Sequence, residues 1–257
     1  MKKVSMIITD LDFSLLDNAG KISTHTKSVF KKCKEAGIII VFATARPYRN
    51  TRIFYDSIEP DALICHAGGA VYVNNEIIWS NGINPIEGQN VLRNIACDYP
   101  NIGIGVESEN SIYSNFDVSK YWKIESYKNL DLERFPLEIL YKLIIELKQI
   151  NNRDRIKKYL SSDLYFNAFE GNVGLIMNKN NTKWNGITKL LEYYNIRKEN
   201  IISFGDSDVD VEMIEKSGIG IAMENGNEEI RSKAKYICES NNNDGIAKWI
   251  NENMSLP

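Results

Sequence analysis

The stretch MIITDLDFSLLD, residues 6–17, ends an apolar run in two aspartates, Asp10 and Asp12, one leucine apart. The run reads as a buried strand. Side chains at i and i+2 of a strand leave on one face, so this reading brings the two carboxylates together. Two unit charges about 4 Å apart repel by roughly 4 kcal/mol at an effective dielectric near 20. A cation or a shared proton relieves such a pair, which makes it a candidate site.

Two more apolar runs end in polar residues. IIIVFATAR, 38–46, leads into Thr44 and Arg46, and IISFGDSDVD, 201–210, leads into Asp206, Asp208 and Asp210. Lys183 opens a further helical segment, where the macrodipole disfavours a cation. A lysine suits that place if an anion is bound as well, because free N–H groups at a helix start attract anions. Clustered carboxylates, a hydroxyl and a lysine suit a hard divalent cation such as Mg²⁺ together with a phosphoryl group. Taken singly, each has an ordinary explanation: D-x-D is common, Thr44 can satisfy backbone groups, Asp208 reads as a helix N-cap and Lys183 as a surface residue. Order and placement join them. His25 and His66, far apart in the chain, make no convincing metal site.

The elements that position these residues follow from hydrophobic pattern. Short apolar runs at 4–8, 38–43, 62–65, 201–204, 219–223 and 236–238 suit strands buried on both faces. Helical patterns fill 24–36, with Ser23 or Thr24 as N-cap and Gly37 as stop, and 183–194, with Thr182 as N-cap. Strand, helix, strand predicts an α/β fold, a Rossmann-like doubly wound parallel sheet that binds ligands beyond the carboxyl ends of its strands. The three polar clusters then converge on one crevice. From about 84 to 176 the rhythm changes to a helix (87–97), two strands about a polar turn, a third strand, a helix (153–161) and a hairpin turning at Gly171 and Asn172. This predicts an inserted, smaller α+β domain at 84–176 within a core of 1–83 and 177–257.

Composition narrows the function. With 257 residues, 43% of them apolar, the chain can bury a substantial core. Thirty-one basic against 34 acidic residues give a net charge of −3 without long single-sign blocks, which offers no footprint for nucleic acid or an anionic membrane. Cys33, Cys65, Cys97 and Cys238 show no C-x-x-C spacing, so buried free thiols are expected. No signal-peptide core or membrane span is evident, and a cytoplasmic location is the expectation.

With these residues in hand, the chain resembles a haloacid dehalogenase-superfamily phosphatase of the Cof type over nearly its full length. DLDFSLL resembles the first motif, D-x-D-G-T-L; FATARP the second; NNTKWNGITKLL the third; and SFGDSDVDVEMI the fourth, usually G-D-x-x-N-D. The tail from Gly220 to Ile250 also fits the family's closing pattern. The resemblance implies a Rossmann-like core interrupted by an α/β cap that closes over the crevice. It implies that Asp10 is a nucleophile forming an aspartyl phosphate, and that Asp12 protonates the leaving oxygen and then activates water. Thr44 and Lys183 would hold the phosphoryl oxygens. Mg²⁺ would bind Asp10, the backbone carbonyl of Asp12, and Asp206, with Asp210 supporting the metal and orienting Lys183. Ser14 and Arg46 are further supporting candidates.

Three departures stand out. Phe13-Ser14 replaces Gly-Thr, which keeps a hydroxyl but adds bulk; Val209 stands where Asn is usual; and AGGA at 67–70 replaces Asn-Gly-Ala. The expected activity is Mg²⁺-dependent hydrolysis of a small phosphorylated metabolite, a sugar phosphate or phosphorylated cofactor. A phosphomutase and a non-catalytic phosphometabolite sensor are the alternatives. A receiver-type signalling domain fails on chain length, on the inserted domain and on the position of Lys183 before the last acidic cluster. Substrate identity and oligomeric state carry no signal in the sequence.

Overall fold

The computed structural model describes residues 4–122, 126–169 and 172–256. Gly171 of the expected hairpin turn lies outside them. The chain forms two compact units, Met1–Ser80 with Thr182–Pro257, and Asn81–Asn181. The second is wider than 84–176, because its last strand runs on to Asn178 and Ile83 bridges to Leu140.

The first unit begins with β1 (Met6–Thr9), β2 (Ile39–Ala43), β3 (Ala62–Cys65), β4 (Ala70–Val73) and β5 (Glu76–Ser80), with α1 (Thr24–Glu35) between β1 and β2. Ser23 caps α1 by accepting the Thr26 N–H, and Gly37 ends it at φ +75°. The second unit holds α2 (Pro85–Asp98), β6 (Ile104–Ser108), β7 (Ile112–Ser114), β8 (Lys128–Asn129), β9 (Leu140–Glu146), β10 (Leu164–Phe169) and β11 (Val173–Asn178). These strands form one sheet in the order β10-β11-β9-β6-β7-β8, antiparallel except for β7-β8. Arg153–Tyr159 winds as a tighter 3₁₀ helix rather than the expected α-helix. The chain returns through α3 (Lys183–Tyr194), β12 (Ile201–Gly205), α4 (Val211–Lys216), β13 (Ile219–Met223), α5 (Glu228–Lys233), β14 (Tyr236–Cys238) and α6 (Gly245–Asn253).

The first unit's sheet runs β14-β13-β12-β1-β2-β3-β4-β5. Its first six strands are parallel, whereas β4 and β5 fold back antiparallel, a departure from the all-parallel expectation. The turn between them is Asn74-Asn75, with φ of 52° and 65°, the left-handed pair that a two-residue hairpin needs. Met6, Ile8, Val41, Ile64, Ile187 and Met213 pack into one buried cluster of this unit. The four cysteines are free, with Cys33, Cys65 and Cys238 buried and Cys97 exposed. Among the described residues, no helix is long and apolar enough to cross a membrane.

Gly68 lets the turn after β3 meet the start of α3. Its φ is +106°, and a Cβ built on it would lie 2.0 Å from the backbone oxygen of Thr182, the residue that caps α3. Any side chain must displace one of the two backbones. Gly68→Ala is therefore expected to destabilise the protein by about 2 kcal/mol or more in denaturant unfolding; an unchanged midpoint would show that the contact yields freely.

Candidate active site

Register places the polar clusters side by side. Thr9 pairs with Phe42 of β2 and Phe204 of β12, and Asp10, Thr44 and Asp206 each come directly after the last residue of three adjacent, parallel strands. Asp10 continues the ladder by one bond, its N–H donating to Phe204 O at 3.0 Å. Beyond it the chain leaves the strand in a wide turn, Leu11–Leu15, closed by Leu15 N–H to Asp10 O at 3.3 Å and Leu16 N–H to Leu11 O at 2.8 Å.

This turn corrects the strand-face expectation for Asp10 and Asp12. The strand stops at Thr9, and the two carboxylates take different partners. Asp10 is buried, and its Oδ1 accepts from Lys183 Nζ at 2.5 Å. Asp12 is half-buried and grips Arg46 in a two-pronged pair, Nε to Oδ2 at 2.8 Å and Nη2 to Oδ1 at 2.6 Å. The Arg46 guanidinium also lies over the Phe54 ring, 5.3 Å from its centre. Such a fork fixes orientation even where its net stabilisation is small.

Lys183 is the hub of the buried cluster. It is 1% exposed, and Nζ donates to Asp10 Oδ1 and to Asp210 Oδ1, both at 2.5 Å. The cation at the start of α3 is thus balanced by two carboxylates of this chain. Burial pulls its pKa down, but those two carboxylates outweigh it and leave the ammonium more firmly protonated than usual. Asp210 is held in turn through Oδ2, which accepts from Ser207 Oγ at 2.9 Å, Ser207 N–H at 3.2 Å and Asp206 N–H at 3.3 Å. Ser207, not Asp208, is the helix cap here, in a reciprocal capping box with Asp210. Asp208 is exposed and accepts from Asn227 Nδ2.

Sequence reasoning missed two contributors. Ser207 carried a readable signal, a serine three residues before an acid at a helix start. Gly205 carried none: a Cβ there would lie 2.6 Å from Asp210 Cβ, so only glycine lets Asp210 tuck beneath the end of β12. Thr44 is fully buried, and its Oγ1 accepts the Arg46 N–H at 3.1 Å. Ser14 is buried and donates to Asp206 Oδ1 at 2.8 Å.

Carboxylate oxygens of Asp10, Asp206 and Asp210 all lie within 4.8 Å of one another. Burial pushes Asp10 up to about 8, with Asp210 and Asp206 adding to the rise and Lys183 opposing it. Burial likewise pushes Asp206 up to about 6, against the Ser14 hydrogen bond. Three acids share one ammonium, so one hard divalent cation would balance the remaining charge. Lys183 occupies Oδ1 of Asp10 and Ser14 occupies Oδ1 of Asp206, and the residues' second oxygens suit such an ion.

The Phe13 backbone is an outlier within the turn. Its φ is +61°, a conformation that costs a bulky L residue on the order of 1–3 kcal/mol. Asn225 pins it by donating to Phe13 O at 2.8 Å.

A largely parallel sheet with this acid cluster at its strand ends suits phosphoryl chemistry, and comparison with known proteins gives the family. The chain belongs to the haloacid dehalogenase-like hydrolase family, whose model matches residues 7–250, and it is a phosphatase of that family. It is 27% identical to the 5-amino-6-(5-phospho-D-ribitylamino)uracil phosphatase YitU of Bacillus subtilis, over 99% of both chains. A haloacid dehalogenase-like hydrolase from Bacteroides thetaiotaomicron superposes with a TM-score of 0.86 at 23% identity, covering 97% of this chain and 99% of that one. The subclass IIB sugar phosphatase BT4131 gives 0.79 at 21%, covering 97% and 98%.

A carboxyl raised on folding binds more protons in the folded than in the unfolded state between its ordinary and its raised pKa. Its contribution to stability therefore declines as pH climbs through that window, here from about 4 to about 8 for Asp10. A cation bound to the ionised cluster offsets the loss. The rise in melting temperature on replacing EDTA with magnesium chloride is expected to be larger near pH 8 than near pH 5. A rise that shrinks with pH would count against cation binding at these acids.

Proposed function

We propose that this protein is a Mg²⁺-dependent phosphatase that hydrolyses a small phosphorylated metabolite through an aspartyl-phosphate intermediate. The observation that carries the reading is Lys183 buried between Asp10 and Asp210 at the strand ends, 2.5 Å from each. The relative YitU is named for a phosphorylated ribityl compound, which supports a sugar-phosphate-like or cofactor-like ester as substrate.

Asp10, Asp206 and the backbone carbonyl of Asp12 are the groups assigned to Mg²⁺. When bound, the ion neutralises phosphoryl charge and keeps Asp10 ionised. An Asp10 carboxylate oxygen attacks phosphorus, the ester P–O bond breaks, and its electrons leave with the alcohol oxygen. Asp12 gives that oxygen a proton, then takes one from the water that attacks the phosphoryl group, and Asp10 is freed as phosphate departs. The Lys183 ammonium and the Thr44 hydroxyl steady the phosphoryl oxygens, and Asp210 aims Lys183. Because Arg46 holds both Asp12 oxygens, Asp12 must release one Arg46 N–H to carry the proton it hands to the leaving oxygen. Ser14 orients Asp206.

Asp10→Asn is expected to lower phosphate release by a factor of about 10³ or more, with the fold retained. Asp12→Asn is expected to lower it about 10²- to 10⁴-fold and to accumulate protein heavier by one phosphoryl group, seen by mass spectrometry. Release by Asp10→Asn at the wild-type rate would refute the nucleophile. A phosphorylated Asp12→Asn protein modified anywhere but Asp10 would refute the intermediate.

A further inference from the structure

We propose that Phe13 and Val209 form an apolar platform at the rim of the carboxylate cluster that favours phosphate monoesters whose leaving group presents a flat, aromatic face. The inference deepens the phosphatase reading and rests on it. It starts from two large apolar side chains left in solvent: Phe13 is 57% and Val209 53% exposed. Each stands one residue from one acid of the site and three from another, Phe13 from Asp12 and Asp10, Val209 from Asp210 and Asp206.

The backbone holds both in place. Ser14 turns inward to Asp206 Oδ1, and Asn225 takes Phe13 O, so the conformation at φ +61° is fixed from two sides while the ring stays outside. Two residues on, Asn227 donates its N–H to Asp206 O at 3.2 Å and its side chain to Asp208, the neighbour of Val209. The loop 225–227 thus ties Phe13 and the Asp208-Val209 turn to one framework.

Neither side chain serves the core. Among the described residues the Phe13 ring stacks on no other aromatic. A glycine at position 13 would remove both the backbone strain and the exposed ring. What Phe13 adds is a rigid, flat, apolar surface next to the acids that handle the ester. A leaving group with an aromatic ring buries area on it and gains a stacking contact; a hydroxylated or short alkyl group gains little.

The test measures binding apart from turnover. Calorimetry with Mg²⁺ present compares phenylphosphonate with ethylphosphonate on wild type, Phe13→Gly and Val209→Asn, and phosphate release from phenyl phosphate and ethyl phosphate is followed in parallel. Wild type is expected to bind the phenyl compound about tenfold more tightly than the ethyl compound. Phe13→Gly is expected to bring that ratio to within about twofold, and Val209→Asn to lower it part of the way. A wild-type ratio near one, or a ratio that Phe13→Gly leaves unchanged, overturns the platform. Phenyl preference without phosphate release from either ester would sink the catalytic reading and leave the platform standing; release without phenyl preference would do the reverse.

Discussion

An ammonium buried between two carboxylates organises this site. Lys183 touches Asp10 and Asp210 at 2.5 Å, and neither it nor Asp210 has appreciable contact with solvent. Burying charges is expensive, and mutual attraction repays it only when geometry is close and the remaining lone pairs are satisfied. Those of Asp210 are satisfied. Ser207 and the Asp206 N–H complete Asp210, and Gly205 leaves room for it to sit beneath the strand end. The result is a cation fixed in position by this chain's own groups, as the proposed role at a phosphoryl group would require.

The cluster nevertheless sets three carboxyl groups against one ammonium, and burial above all, with the neighbouring acids adding to it, raises the Asp10 and Asp206 carboxyls. Hard oxygens and partial burial make these acids a candidate place for a divalent ion.

Asp12 answers to a different constraint. The wide turn after β1 sends its carboxylate to Arg46 while Asp10 goes to Lys183, so two acids two residues apart live in different surroundings. One is buried and crowded; the other is half-exposed and paired with a guanidinium. Environments that differ this much fit the division of nucleophile and proton carrier that the proposed mechanism gives them. The same turn also forces Phe13 into its left-handed backbone and out towards solvent.

The sequence by itself determined the elements whose signals are local. The bounds of α3, the strands at 62–65, 219–223 and 236–238, and the cap residue Thr182 follow from apolar period and capping chemistry within a few residues, whereas the choice of Ser23 over Thr24 as the cap of α1 came from the structure. The order of four motifs likewise singled out Asp10, Thr44, Lys183, Asp206 and Asp210. The antiparallel pair β4-β5 escaped because AVYV is short and follows directly on the turn after β3, although Asn74-Asn75 marked its hairpin. What only the tertiary structure decided was who pairs with whom. Lys183 meets Asp10 across 173 residues, Arg46 meets Asp12 across 34, and Gly205 matters solely because Asp210 folds back beneath it. Composition and period report which face a side chain presents; the partner it finds there depends on strand order and register, which arise from packing the whole sheet at once.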